Sequence, residues 1–315
     1  MVIMVDYDKK YELTERQEWA WNKFWQFAEE EKLSINKAAE RIGCITASTI
    51  SGIRNGSYKA NPNEQLNKLA AYFEIKEAAS EQAKYDSYVP TSISSQVYEI
   101  INNCHLLGGL AVACGDAGIG KTQAALKYER DHTSNCIYIY VPPCMKSSNA
   151  IIKAIGKKLG VRKRAIDELW MAISEKLTDG MILILDEAQH LSYEAIETLR
   201  SFSDIFNNTG KTLGICLIGN EVTVESTTGK SGHEIEFGQI VSRRKSLEIF
   251  KTSQIARHDI ELLFPELEGH KPEIDFLHNV ATGVQGIRGV VDIMIKAKAN
   301  DNITYAGLVA AAKSK

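Results

Sequence analysis

The chain has 315 residues, 44% hydrophobic and 24% charged, with a formal net charge of −3 at neutral pH. That length supports two or three domains, and the ordinary composition excludes disordered and fibrous classes. No apolar run approaches the ~20 residues of a membrane span, the six cysteines show no C-x-x-C spacing for zinc or a disulfide framework, and near-neutrality argues at first sight against a nucleic-acid partner.

Residues 1–32 carry 5 basic and 8 acidic groups, whereas 33–75 carry 5 and 3. Any nucleic-acid contact must therefore come from local patches. The start of the chain lacks signal-peptide character, so a cytoplasmic protein is expected. Residues 14–32 are expected to form a helix. Thr14 and Gln17 have capping-box spacing, and Trp21, Trp25 and Ala28 recur at helical intervals with Phe24 beside them. This aromatic stripe is expected to pack onto the small domain that follows.

Residues 34–73 hold short helical patterns separated by Gly43, Asn55-Gly56 and Asn61-Pro62. Ala38 and Ala39 permit close helix crossing, and Gly43 tolerates a left-handed turn, which together suggest a helix-turn-helix. Ile50 and Ile53 would face its core. Thr46, Ser48, Thr49, Ser51 and Arg54, with Lys59 nearby, would face a major groove or phosphates. From 76 to 95 the chain turns polar and is read as a linker, re-entering structure near Tyr88.

Apolar β-like runs follow at 110–114, 137–141, 181–185, 213–218 and 247–250, mostly with helical stretches between them. This alternation predicts an α/β fold with a parallel sheet covered on both faces. The first run leads into Gly115-Asp116-Ala117-Gly118-Ile119-Gly120-Lys121-Thr122, a complete G-x-x-x-x-G-K-[ST] motif between strand and helix. Its backbone N–H groups and helix N-terminus would cradle ATP phosphates. Lys121 would reach the β- and γ-phosphates, and Thr122 would ligate Mg²⁺.

Asp186 and Glu187 emerge at the end of the 181–185 run. Two adjacent carboxylates disfavour joint ionisation unless a cation compensates. Asp186 would hold the Mg²⁺ shell, and Glu187 would activate the attacking water. A strand-sized insertion between the two motifs points to P-loop ATPases with a catalytic glutamate. Asn220, at the end of the 213–218 run, would then stand beside the γ-phosphate. Arg243 and Arg244 precede the last run, where an arginine can reach a neighbouring subunit's γ-phosphate. Arg288, following Gly286 at the start of a tail helix, would contact phosphate from a lid.

These residues, with Leu185–Leu191 as Leu-Asp-Glu-Ala-Gln-His-Leu, resemble the AAA+ ATPases. More narrowly, over roughly 33–310, they resemble the transposition ATPases of the phage Mu type. The chain is therefore expected to divide into an N-terminal helix and helix-turn-helix DNA-binding domain over 1–80, its helix at 14–32 lying beyond the family module, an AAA+ core over 81–250 and a helical lid over 251–315. The resemblance also implies ATP-dependent, sequence-tolerant binding of double-stranded DNA by a homo-oligomer, a helical filament or ring, that delivers target DNA to a transposase. Lys157-Lys158 and Arg162-Lys163-Arg164 occupy a place similar to a basic stretch in that family, where a loop would grip phosphates. Thr227, Thr228, Gly229 and Lys230 form a second candidate loop. One small patch per subunit, replicated along an assembly, needs no basic net charge. Three other readings stay open: a transcriptional regulator acting at one operator, a secretion-type motor ATPase, and a non-enzymatic switch that binds ATP without turnover.

Overall fold

The computed structural model describes residues 11, 13–85, 88–223 and 244–314. They fall into two compact units, Met1–Lys84 and Tyr85–Lys315.

Among the described residues, the regular elements of the smaller unit are all helices: α1 (Glu15–Glu30), α2 (Ile35–Ile42), α3 (Ala47–Arg54) and α4 (Asn63–Tyr85). Thr14 caps α1 in the expected capping box, accepting from the Gln17 backbone N–H while the Gln17 side chain accepts from the Thr14 N–H. Trp21, Phe24, Ile50, Ile53, Leu66 and Leu69 share one core. Trp21 and Phe24 are almost fully buried, worth about 1.5–3 kcal/mol each relative to exposure. The aromatic stripe is thus core. Gly43 ends α2 at φ 77°, the left-handed conformation expected of it. The stretch from Lys76 was expected to be a linker, but α4 continues to Tyr85. Its residues Glu77, Ala78, Ala79, Glu81, Gln82, Ala83 and Lys84 are good helix formers, so polarity there is compatible with a helix.

In the larger unit, α5 (Ser92–Leu107) precedes β1 (Gly109–Gly115), α6 (Lys121–Asp131), β2 (Cys136–Tyr140), α7 (Ser148–Lys158), α8 (Ile166–Lys176), β3 (Met181–Asp186), α9 (Tyr193–Asn208), β4 (Leu213–Gly219) and β5 (Arg244–Phe250). The last strand begins at Arg244, so Arg244 lies within it rather than before it. The sheet is parallel with order β2-β3-β4-β1-β5. Alternate side chains serve opposite layers. Ala111, Ala113, Ile182, Ile184, Cys216 and Ile218 face the α5 and α6 side. Leu110, Val112, Leu183, Leu185, Ile215 and Leu217 face α7, α8 and α9. Both faces are covered, so these strands read as unbroken apolar runs.

The chain ends in α10 (Arg257–Leu263), α11 (Lys271–Ala281), α12 (Gly286–Ala299) and α13 (Tyr305–Lys313). Their apolar faces join the α5 and α6 side of the core through Ile260, Leu277, Val290 and Met294. Asp259, almost fully buried, accepts from the Ser92 N–H at 2.6 Å and the Ala256 N–H at 2.8 Å, tying α10 to the start of α5. Among the described residues no helix is long and apolar enough to cross a membrane.

Candidate functional site

Because β4 lies between β1 and β3, the carboxyl ends of three strands converge on one edge of the sheet. β1 runs into the Gly115–Thr122 loop, β3 into Asp186 and Glu187, and β4 into Asn220. In open α/β sheets this edge is where ligands bind.

The loop is built for close approach. Gly115 has φ 153°, and a Cβ there would stand 2.0 Å from the Phe250 carbonyl oxygen. At Gly118, φ 75°, a Cβ would stand 2.3 Å from the Gln285 oxygen. Any side chain at either position would displace backbone. The Asp116 carboxylate accepts from the Thr252 N–H at 2.8 Å, fixing the loop's entry to the end of β5. The lid docks directly on the loop, with the Ile287 N–H donating to the Gly118 oxygen at 2.9 Å. Arg288, the next residue, is exposed beside Gly118.

Lys121, at the start of α6, donates to the carbonyl oxygens of Gly115 at 2.9 Å and Asp116 at 2.6 Å. Burial lowers the pKa of its ammonium, against the attraction of the Asp186 and Glu187 carboxylates. Asp186 is 2% exposed. Burial raises its carboxyl above the ordinary range, against hydrogen bonds from Tyr138, Thr122 and the Glu187 N–H that favour the charged form. The Tyr138 hydroxyl donates to Asp186 at 2.8 Å, and the Glu187 N–H at 2.9 Å. Burial also pushes the Tyr138 phenol up, so it remains a donor at any physiological pH. A carboxylate and a hydroxyl in contact make a hard-oxygen donor set that fits Mg²⁺. A bound cation would offset the desolvation of Asp186.

Glu187 has φ 58°, uncommon for a non-glycine residue, as β3 turns sharply into a single 3₁₀ turn, Ala188–His190. Gln189 in that turn donates from Nε2 to Glu187 Oε2. Its Oε1 accepts from the Asn220 backbone N–H at 3.3 Å. Asn220 Oδ1 accepts from the Val222 N–H at 3.0 Å, so its side chain also shapes the turn. Sequence reasoning had no role for Tyr138, and gave Gln189 and His190 only a switch or packing role. Tyr138 had one signal, a hydroxyl inside a largely apolar strand, and shared it with Tyr140. Gln189 stood two residues beyond the acidic pair.

Arg243 and the candidates Thr227, Thr228, Gly229 and Lys230 lie outside the described residues. Arg162, Lys163 and Arg164 occupy the turn between α7 and α8, all exposed. Lys153, Lys157, Arg162 and Lys163 line a cavity of about 480 Å³ floored in part by Leu169. Lys158 instead lies 3.8 Å from Glu129. In the smaller unit, Thr46 caps α3 and shares hydrogen bonds with Ser48 and Thr49. Ser51 is half-buried, whereas Arg54 and Lys59 are exposed. The Arg54 guanidinium lies 4.9 Å from the Trp25 ring centroid, a cation–π contact that fixes the side chain at the surface.

The AAA domain family matches residues 106–226. The Mu-like prophage FluMu DNA transposition protein B of Haemophilus influenzae is 30% identical over 240 residues, covering 74% of this chain and 80% of that protein. The chain belongs to the Mu-type transposition protein B family. The ATP-dependent target DNA activator B of Escherichia phage Mu is 28% identical, covering 80% of this chain and 79% of its own length. The Aeropyrum pernix ORC2 protein in its ADP form has a TM-score of 0.51 at 16% identity, covering 72% of this chain and 69% of that one. Pyrobaculum aerophilum Cdc6p has a TM-score of 0.51 at 17% identity over 70% of this chain and 66% of its own. These likenesses concern the fold, an AAA-type P-loop architecture, as expected from the motifs.

Proposed function

We propose that this Mu-type transposition protein B binds and hydrolyses ATP, assembles on double-stranded DNA as a homo-oligomer, and delivers that DNA to a transposase in the cytoplasm. The observation that carries the reading is the convergence of Lys121, Thr122, Asp186 and Glu187 on one sheet edge, with Asn220 linked to Glu187 through Gln189. The names of the relatives, a DNA transposition protein and an ATP-dependent target DNA activator, support the DNA and transposase partners.

Lys121 would exchange the loop carbonyls for phosphate oxygens, and Arg288 would reach the same phosphates from the lid. Thr122 and Asp186 would hold Mg²⁺, which neutralises charge on the transferring phosphoryl group. Glu187 would accept the proton of the attacking water, and Asn220 would orient that water or the γ-phosphate. Arg243 would act from a neighbouring subunit, so Arg243→Ala should retain nucleotide affinity and lose turnover.

DNA contacts would come from each unit by itself: from the turn at Arg162, Lys163 and Arg164 in the larger unit, and from α3 and its flanks in the smaller one, through Thr46, Ser48, Thr49, Ser51, Arg54 and Lys59. A net charge of −3 leaves one subunit a weak DNA ligand, so affinity would come from assembly. Electron microscopy with duplex DNA tests this. Filaments or rings only with ATP are expected, and a nucleotide-independent complex at one sequence would favour a transcriptional regulator instead.

A further inference from the structure

The first turns of α8 stand between two cavities of opposite character. On one side lies the basic cavity of Lys153, Lys157, Arg162 and Lys163. On the other, α8 and α9 both pack on α7 and leave an open groove of about 480 Å³. Its floor is apolar. Ile152 of α7 and Ile166 of α8 line it with Trp170, whose indole stacks on Phe202 of α9 at a ring-centroid distance of 5.2 Å. Phe202 is fully buried, whereas Trp170 is only half-buried. Met171, one helical turn beyond Asp167, is 60% exposed, and Ile205, one turn beyond Ser201, is 37% exposed. Apolar surface therefore continues along both helices.

The rim is acidic. Asp167 stands exposed in the first turn of α8, with no ion pair among the described residues. Glu197 of α9 also lines the groove and holds Arg200 at 2.8 Å. α8 and α9 each carry three acidic side chains and one basic, a net charge of −4 for the pair. Such a rim repels phosphates, so the groove disfavours DNA where the neighbouring basic cavity would attract it. An apolar floor with carboxylates around it suits a cationic protein segment with apolar anchors, laid along the groove as an amphipathic helix. A partly open tryptophan is the residue type on which such contacts concentrate their energy. We propose that this groove is the docking surface for the transposase, which enters it through a segment of that chemistry. The inference rests on the transposase partner read above. It sets DNA, at the Arg162–Arg164 turn, and transposase on opposite sides of the start of α8, about one helix diameter apart.

The test uses the full chain with ATP and compares wild type with Asp167→Lys and Ser201→Arg. The first reverses the rim charge, and the second fills the groove from α9 and adds a cation. The probes are the purified transposase of the same element and a fluorescein-labelled helical peptide of about 18 residues. That peptide carries leucine at positions i, i+3, i+4 and i+7 and lysine elsewhere, and a control replaces each lysine by glutamate. Wild type should bind the lysine peptide at least about tenfold more tightly than the glutamate one. Each variant should weaken both the lysine peptide and the transposase by about tenfold or more, the scale of like charges brought together at an interface. Affinity for ATP should stay within about twofold, and binding of duplex DNA should be no weaker than in wild type. Amide hydrogen exchange along α8 and α9 should slow when the peptide binds. Transposase held by either variant as tightly as by wild type would overturn the proposal and leave the partner standing. A peptide affinity indifferent to charge would overturn it as well. Wild-type protein that forms no complex with the transposase, even with ATP and duplex DNA, would sink both readings.

Discussion

At the carboxyl edge of the sheet, Lys121 and Asp186 are charges drawn largely out of water, each with its charged form penalised by burial. At the turn between α7 and α8, Arg162, Lys163 and Arg164 stand exposed. The first arrangement concentrates binding energy in a few preorganised groups, because electrostatic contacts strengthen as water leaves. The second is screened by salt and weak in a single subunit, and would gain strength only through repetition in the proposed assembly. The contrast teaches that a buried site is specified by geometry, whereas the proposed surface patch would depend on copy number.

The largest expected effect tests the buried half. Lys121→Ala should weaken ATP by about a hundredfold, or ~2.7 kcal/mol, and abolish ATP-dependent DNA binding. Filament formation with ATP in that variant would break the link between the two regions. Next, Glu187→Gln should lower phosphate release by roughly 10²–10⁴ while sparing ATP affinity, measured by equilibrium titration. A parallel fall in affinity would place Glu187 in binding instead.

The exposed half predicts a different signature. Alanine at Arg162, Lys163 and Arg164 together should reduce the slope of log K against log salt by about 2–3, with ATP affinity in DNA-free protein untouched. A salt slope equal to that of wild type would remove the turn from the DNA surface.

The smallest effect concerns stability. The Asp186 carboxyl is raised by burial, so the folded state holds its proton to higher pH than the unfolded chain does. Folding stability from this group is therefore full below the unfolded pKa and declines as pH rises through the folded value. Asp186→Asn should raise the melting temperature at neutral pH by about 2–4 °C, the shift for roughly 1 kcal/mol in a unit of this size. The gain should vanish in acid, where both forms are neutral. Turnover should be lost at the same time. A variant that melts lower at neutral pH would mean that the hydrogen bonds from Tyr138, Thr122 and Glu187 outweigh desolvation.

Much of the larger unit was legible because its constraints are local. Gly115 and Gly118 are demanded by backbone that passes within van der Waals contact of Phe250 and Gln285, and the apolar runs are continuous because both sheet faces are covered. The helix of residues 76–85 was not legible as such. Its polar composition suits both a linker and a solvated helix, and only helix propensity separates them. Tyr138 was missed because its role depends on pairing between β2 and β3, where Tyr138 stands opposite Ile184, two residues from Asp186.

The sequence by itself determined the phosphate loop, the acidic pair and the parallel α/β class, since each follows from residue types at fixed spacing along one segment. Only the tertiary structure decided what lies beside what. It set β4 between β1 and β3, docked Gly286 and Ile287 against Gly118, and brought the Gln189 amide between Glu187 and Asn220. Strand order and side-chain reach are long-range properties. Gln189 and Asn220 are 31 residues apart in the chain, and spacing within either segment carries no information about a contact that sheet pairing creates.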